Sequence, residues 1–448
     1  MAGRITSRGF STHRTRREVL QTMALTGTWL AGRNLRAAAV APNDKLNIAA
    51  IGAGGRGAAN LDALKSENIV ALCDVDERRA AEVFERYPRA RRFVDFRRML
   101  DSLDRQIDAV VISTPDHTHA VAAAKAMQMG KHCYCEKPLT HSVHEARVLA
   151  ELAASNKLAT QLGTQRHCWD NFARVVELLQ SGTIGAVREC HVWIGGNRGG
   201  GRRPTETPPV PPQLNWDLWL GPAPQRPYHS AYAPYSWRFW WDFGTGETGN
   251  LGCHSLDLPF SALHLRHPVT IEAEGPPVDA ETTPPWLNVR YEFAARDSLP
   301  PLVLTWQHGN KPAGLLPDSE LAAFRSGMLF VGQNGLLLAD LYQWKLFPES
   351  RFSHIRQPLT PAPKAAGFAL EPQSLPHYQE WLAASKSGGS TSCPFGYGGA
   401  LTELVLLGNV AYRTGEKLQW DARNLRAVNC ARAEEFLRRR YRPGWSLG

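Results

Sequence analysis

The sequence predicts an α/β protein with two sheets. A doubly wound parallel sheet comes first, and an α+β domain with a mixed or antiparallel open sheet and C-terminal helices comes second. Three observations predict this. A glycine run, Gly52–Gly57, sits between an apolar strand-like stretch and an alanine-rich helical one. Strand-like and helix-like stretches then alternate to about residue 140, the pattern of crossover units in a parallel sheet. Past residue 166, strands follow one another directly and helices close the chain. The expected divisions are a leader at 1–41, a first domain at 42–165 and a second at 166–448.

The leader accounts for most of the charge. The 448 residues carry a formal +9, yet residues 1–41 hold seven arginines against one acid, Glu18, leaving about +3 for the rest. That excess is too small to argue for a nucleic-acid partner. Arg16 and Arg17 precede the apolar run VLQTMALTGTWLAG, and the small residues of RAAAVA follow. Charged region, short apolar region and A-x-A site, in that order, are the features of an export signal, and the arginine pair points to the twin-arginine route. Pro42 disfavours cleavage after Ala41, so cleavage after Ala39 is the alternative. The plainer reading is a basic tail or an amphipathic anchor. An exported, periplasmic protein is expected, without a stable membrane span, because the apolar run is too short for one. The eight cysteines are scattered without metal-ligand spacing and read as buried thiols, and no metal site is expected.

The first domain opens with KLNIAAIGAGGRGAANLDAL (45–64), strand then G-x-G-x-x-G then helix. This is the Rossmann dinucleotide fingerprint in its required context. Gly52 permits the tight turn, Gly54 lets the backbone approach a pyrophosphate, and Gly57 lets the helix pack on the strand. Gly55 completes the loop, and Arg56 is placed to meet phosphate charge at the helix N-terminus. The next strand, NIVALCDVD (68–76), ends in Asp74, seventeen residues past Gly57. An acid there accepts from ribose hydroxyls and favours NAD, while Arg78 and Arg79 keep NADP open. YPRARRFVDFRRMLDS reads as a short strand and a helix. IDAVVISTPDHTHA (107–120) is a buried strand ending at Thr114-Pro115, with a helix closed by Gly130 after it. KHCYCEKPLT (131–140) is a strand running into a loop. Ligands bind outside the carboxyl ends of such strands. Gly52–Gly57, Asp74, Thr114–His117 and Glu136–Pro138 all fall there.

The motifs GAGGRG, STPDHTHA, GKHCYCEKPLT, GTQRH (163–167), NWDLWLGPAP (215–224), GNLGCHSLD (249–257) and LTELVLLGNVAYRTGEKLQWD (401–421) together resemble the Gfo/Idh/MocA family. These are two-domain oxidoreductases of sugars, inositols and related polyols. The resemblance covers nearly all of the chain past the leader and does not specify a substrate. It implies that Lys137, the EKP lysine, lies beside the nicotinamide and the reacting carbinol, that Lys137-Pro138 is often cis, and that Glu136 orients the lysine or contacts the ribose. His117 and His119 are weaker candidates: one lines the nicotinamide pocket, with His117 taken as the cofactor contact, or either simply starts a helix. The family's second signature places an aspartate four residues before a histidine. Here Asn250 stands at the aspartate position before His254. An asparagine positions by hydrogen bond but adds no charge. His254 is expected as acid–base group or substrate ligand, and Asp257 as a carboxylate on the same helical face that is structural or binds substrate.

In the second domain the candidate strands are 186–195, 269–276, 286–295, 301–309 and 327–341, the last containing a GQNG hairpin turn. Helices are expected at 375–388 and 399–415. Residues 195–213 form a Gly- and Pro-rich loop, either mobile or wrapped over a neighbour. Residues 214–243 hold ten aromatics in thirty positions, against 9% in the chain. They either line a sugar cleft, with Tyr235 and Trp241 as contacts, or form a subunit interface. Gln165 is expected to reach the substrate.

Three functions follow as expectations. The first is hydride transfer between NAD, with NADP not excluded, and a carbinol of a carbohydrate, with Lys137 and His254 handling the proton. The second is redox-neutral turnover on tightly bound NAD, by sugar–sugar oxidoreduction or by cleaving a glycoside through oxidation, elimination and reduction. Export favours it, because no soluble NAD pool would recycle a dissociating cofactor. The third is a non-catalytic carbohydrate-binding protein. A homo-oligomer is expected in each case.

Overall fold

A computed structural model describes residues 44–448 apart from 310, 312, 313 and 356–368. The export-signal reading of residues 1–41 therefore lies outside the described residues. Helices of eight residues or more are numbered α1–α9.

Six parallel strands form the first sheet. They are β1 (Asn47–Ile51), β2 (Asn68–Cys73), β3 (Arg91–Phe93), β4 (Ala109–Ile112), β5 (His132–Glu136) and β6 (Thr160–Gly163), in the order β3-β2-β1-β4-β5-β6. The connecting helices are α1 (Arg56–Ala63), α2 (Glu77–Arg86), α3 (Phe96–Leu103), α4 (Asp116–Gln128) and α5 (Val143–Ser155). Strands buried on both faces explain the unbroken apolar runs in the sequence. Ala109 and Val111 of β4 and Tyr134 of β5 pack on one face, whereas Val110, Ile112, Cys133 and Cys135 pack on the other. The first face is closed by the C-terminal part of the chain. Tyr378, Trp381 and Leu382 of α8 (Leu375–Ser387) cover Ile48, Ala109, Val111 and Tyr134. The first sheet ends with β6 at Gly163, while Leu46–Gly448 forms a single contact unit.

After α6 (Asp170–Gln180) comes β7 (Val187–Ile194), and α7 (Cys253–Ala262) follows the aromatic segment. The remaining strands are β8 (Thr270–Glu274), β9 (Leu287–Phe293), β10 (Leu302–His308), β11 (Gly327–Gly332), β12 (Leu336–Ala339), β13 (Trp344–Phe347), β14 (Leu418–Asp421) and β15 (Arg426–Ala427). The second sheet is mixed, ordered β13-β12-β11-β7-β10-β9-β8-β14-β15, with β7 and β10 parallel and the other pairs antiparallel. The GQNG turn closes the β11–β12 hairpin, with Gly332 N–H donating to Gly335 O at 3.0 Å. Helix α9 (Phe395–Thr414) joins the halves. Its Gly399 would place a Cβ 3.0 Å from the Ala146 carbonyl of α5, so a side chain there would push the two helices apart by a few tenths of an ångström. The eight cysteines are free, and all but the half-buried Cys168 are buried.

Candidate active site

The carboxyl ends of β1, β2, β4 and β5 open into one cleft of about 390 Å³, roofed by residues from the aromatic segment and by α7. Gly52, Gly54, Arg56, Asp74, Thr114, Pro115, Glu136 and Lys137 line it from the first domain, and Tyr235, Asn250 and His254 line it from the second. Of the predicted site residues, these come together.

The glycine loop is built as its chemistry requires. Gly52 has φ +84°, and a Cβ there would meet the Ser113 carbonyl at 2.8 Å. Gly57 packs against the Gly52 carbonyl so closely that any side chain is excluded. These two, with Gly55 at φ +58°, shape the turn behind the surface that Gly52 and Gly54 present. Asp74 braces the loop: its Oδ2 accepts from the Ala53 and Gly54 amides at 2.9 and 3.1 Å, and Oδ1 from Asp76 N at 3.0 Å. Burial pushes the Asp74 carboxyl up, and the amide donors offset this only in part. The N-terminus of α1 carries no acid in its first turn. Such an end suits a pyrophosphate.

Lys137 stands at the inner end of the cleft. Its peptide bond to Pro138 is cis. Nζ donates to the Asn250 carbonyl at 2.6 Å and to Asn250 Oδ1 at 3.2 Å. Burial, then the Arg238 guanidinium, lowers its pKa to about 8. The Asn250 amide in turn donates from Nδ2 to Glu247 Oε2 at 3.1 Å, and Glu247 pairs with Arg198 at 2.5 Å. Arg198 belongs to the Gly-rich loop and also donates to the Tyr235 hydroxyl at 3.2 Å. The loop is therefore anchored to the lysine through three side chains. Asn250 and His254 stand on either side of the junction between a π-helical turn, Thr248–Gly252, and α7. Such bulges are frequent at functional sites.

His254 is held neutral. Burial first, and then the charges of Arg166, Lys137 and Arg56, lower its pKa well below the ordinary value. Its Nδ1 lies 3.5 Å from Thr164 Oγ1. It can exchange hydrogen bonds with a substrate hydroxyl without carrying charge.

Four predicted contacts are corrected. His117 does not line the cleft. It is fully buried, with its ring nitrogens 3.2 Å from Phe243 O and 2.9 Å from Trp219 O, and burial lowers its pKa to about 3. A neutral ring donates to only one of those carbonyls. Gln165 lies behind Glu136. Its Nε2 donates to Tyr134 Oη at 2.8 Å and Glu136 Oε1 at 2.6 Å, so it fixes the glutamate instead of reaching substrate. Asp257 is buried at 1% exposure and accepts from Tyr397, from Thr164 at 3.2 Å and from His167 at 2.9 Å. It is a core carboxylate. Trp241 donates to Asp279 O at 3.1 Å and lines a different cavity. His119 lies within 2.8 Å of both the Thr114 and Pro138 carbonyls and ties those loops together.

The aromatic segment divides its work. Trp216, Trp219, Tyr232, Trp240 and Phe243 pack on one another as a separate core, while Trp219, Tyr235 and Trp237 also face the cleft. Sequence reasoning missed Arg238, Arg166 and Glu247, and placed Asp116 at a strand end without a role of its own. Arg238 is the cation in SWRFWW, stacked at 4.3 Å over Tyr235 and 4.1 Å over Trp237. Asp116, in STPDHTHA, is buried on the cleft wall and accepts from Thr245 Oγ1 at 2.7 Å. Among the described residues no group of His, Cys, Asp and Glu is placed to hold a metal, and no helix is long and apolar enough to cross a membrane.

A two-domain fold with a Rossmann glycine loop and a buried lysine at the β5 end defines an oxidoreductase class. Residues 46–164 match the family model of an oxidoreductase NAD-binding Rossmann fold, and residues 191–308 match that of its C-terminal alpha/beta domain. The chain belongs to the Gfo/Idh/MocA oxidoreductase family. Among curated relatives, inositol 2-dehydrogenase of Rubrobacter xylanophilus is 35% identical over 157 residues, 34% of this chain and 44% of that protein. The chain thus aligns with less than half the length of this relative. Among solved structures, the aldose–aldose oxidoreductase of Caulobacter crescentus complexed with glycerol aligns with TM-score 0.57 at 16% identity, over 84% of this chain and 100% of that one. An inositol dehydrogenase homolog of Azotobacter vinelandii complexed with NADH and myo-inositol aligns with TM-score 0.54 at 16% identity, over 84% and 98%. These likenesses show the fold.

Proposed function

We propose that this protein transfers hydride between NAD and a carbinol carbon of a sugar, polyol or glycoside, with Lys137 handling the hydroxyl proton. The observation that carries this is the lysine itself: a side chain with a pKa of about 8, in the same cleft as the glycine loop and Asp74. The residues fit NAD. The glycine turn offers backbone to a pyrophosphate, and Asp74 lies where ribose hydroxyls would meet it, an arrangement that disfavours a 2′-phosphate despite Arg79 on the same rim. NAD, when bound, accepts or returns the hydride. Neutral Lys137 has two N–H groups and one lone pair. Asn250 takes both N–H groups through its carbonyl and Oδ1, which leaves the lone pair for a substrate hydroxyl proton. Neutral His254 and Tyr235 offer hydrogen bonds to neighbouring hydroxyls, and Trp237 offers an apolar face to ring C–H groups. The relatives named for inositol, and the solved enzyme named for aldoses, support a carbohydrate substrate. The test is a panel of sugars, inositols and glycosides with wild-type and Lys137→Met protein. Turnover is expected in the first and absent in the second. Undiminished turnover by Lys137→Met would remove the assigned base.

A second reading rests on the arginine pair and apolar run at 16–31. If the chain is exported, the cofactor must stay bound and return to its starting state each cycle, as sugar–sugar oxidoreduction or glycoside cleavage demands. Protein purified without added cofactor should then release NAD on denaturation and turn over without net NADH. Steady NADH accumulation on added NAD would exclude it.

A further inference from the structure

A second cavity, of about 710 Å³, is linked to the cleft through one side-chain hydrogen bond. Thr245 lines it, and the Thr245 hydroxyl donates to Asp116, which lines the cleft. Arg439, also on its wall, donates to the His117 carbonyl at 3.1 Å, in the first turn of α4.

Arg413, in the last turn of α9, is the centre of this cavity's chemistry. Its Cζ lies 4.8 Å from the Trp241 ring centroid and 4.1 Å from that of Phe436. Two aromatic rings therefore cover the guanidinium, and its N–H edge remains for a partner. Among the described residues no acceptor or carboxylate lies within bonding distance of that edge. The acids on the wall are largely committed elsewhere: Asp242 pairs with Arg226 and Glu434 with Arg438. Arg439 is spent on the His117 and Asp242 carbonyls. Arg440, on the same wall, has no ion pair among the described residues. The charges of Asp242 and Glu435 reach Arg413 without a bond to its edge, and Arg440 adds a second cation to the wall. Burial lowers the Arg413 pKa to about 10, which still leaves a cation at neutral pH.

A stacked guanidinium with a free planar edge is the usual receptor for a bidentate oxyanion. The volume exceeds that of an inorganic ion and falls in the range of small-molecule sites. We propose that this cavity binds a small organic anion, carboxylate or phosphate, on the Arg413 edge, as a site separate from the NAD cleft. Calorimetry on NAD-saturated full-length protein, with inorganic phosphate in one arm and malonate in the other, tests it and separates the two chemistries. NAD saturation keeps the probe off the glycine loop. At least one probe should bind saturably, and Arg413→Gln should weaken it about tenfold or more, the loss expected for charge-assisted hydrogen bonds. Arg413→Lys, which keeps charge but not the fork, should fall between. If Arg413→Gln does not fold, the exposed Arg440→Gln should weaken the same probe about threefold, as a flanking charge would. Binding unchanged by these substitutions, or no saturable binding of either probe to the NAD-saturated protein, would each overturn the proposal.

Discussion

Replacing Asn250 by aspartate puts a carboxylate where the amide oxygen now lies, 3.2 Å from Lys137 Nζ. It also removes the Nδ2 donor that meets Glu247 at 3.1 Å. The first change favours the Lys137 ammonium, and the second sets two carboxylates side by side, which offsets part of that gain. An opposite charge at that range favours the ammonium form and shifts a pKa by about 1 to 3. The Lys137 value should therefore rise from about 8 to 9 or higher. At a pH of about 7.5, a midpoint of about 8 leaves roughly a quarter of the lysine neutral, and a midpoint of about 9 leaves roughly 3%. The base form should thus fall about eightfold at constant geometry. The assay needs no substrate. Trace acetic anhydride labels only the neutral amine, and mass spectrometry of the Lys137 peptide across pH reads the midpoint. Oxidation rates should follow the same curve, rising through about pH 8 in the wild type and about one pH unit higher in Asn250→Asp. An equal or lower midpoint in the variant would refute the contact of Asn250 with Lys137, and a wild-type midpoint at the ordinary lysine value would refute the lowering by burial and Arg238.

Asp257→Asn should cost about 2 to 4 kcal/mol of stability in chemical denaturation, because a buried carboxylate with three donors is lost. Burial disfavours the His167 cation, but the Asp257 charge outweighs it and holds that pKa above the ordinary value. The pair's contribution should be complete below the unfolded histidine pKa and fade as pH rises through the folded one, and Asp257→Asn should lack this dependence. Asp74→Ala should weaken NAD about tenfold or more in fluorescence titration while NADP weakens less, since the brace of the glycine loop and the ribose acceptor are lost together. His254→Asn should lower turnover without moving the pH midpoint of oxidation, because His254 is already neutral across that range. A shifted midpoint would make His254, and not Lys137, the titrating base.

The sequence made the first sheet readable because its signals are local. A strand, three glycines at fixed spacing and an acid at the next strand end describe one continuous stretch. Lys137 was legible for the same reason. Side-chain direction was not. His117 sits one residue from the cleft-lining Asp116, yet its ring turns into the Trp219–Phe243 core. Asp257 and His254 are three apart on a helix, yet one is committed to His167 and Tyr397 while the other faces the cleft. Trp237 and Trp241 lie four apart and line different cavities. Arg238 lowers the Lys137 pKa from the far domain, and Glu247 holds its partner Asn250. Only the packing of Tyr235 and Trp237 around Arg238, and the π-helical turn at Thr248–Gly252, bring them near Lys137. β14 and β15 at the sheet edge are short and carried no alternation to read.

The central claim is that Lys137 moves the proton for a hydride transfer in this cleft. Its most direct test is a single turnover of NAD-loaded protein, mixed with a carbohydrate that the panel identifies and followed by the absorbance of reduced nicotinamide. The account predicts a burst in wild type whose rate rises through about pH 8, and no burst in Lys137→Met at any pH. A burst of equal rate in Lys137→Met, or one indifferent to pH across that range, would contradict it.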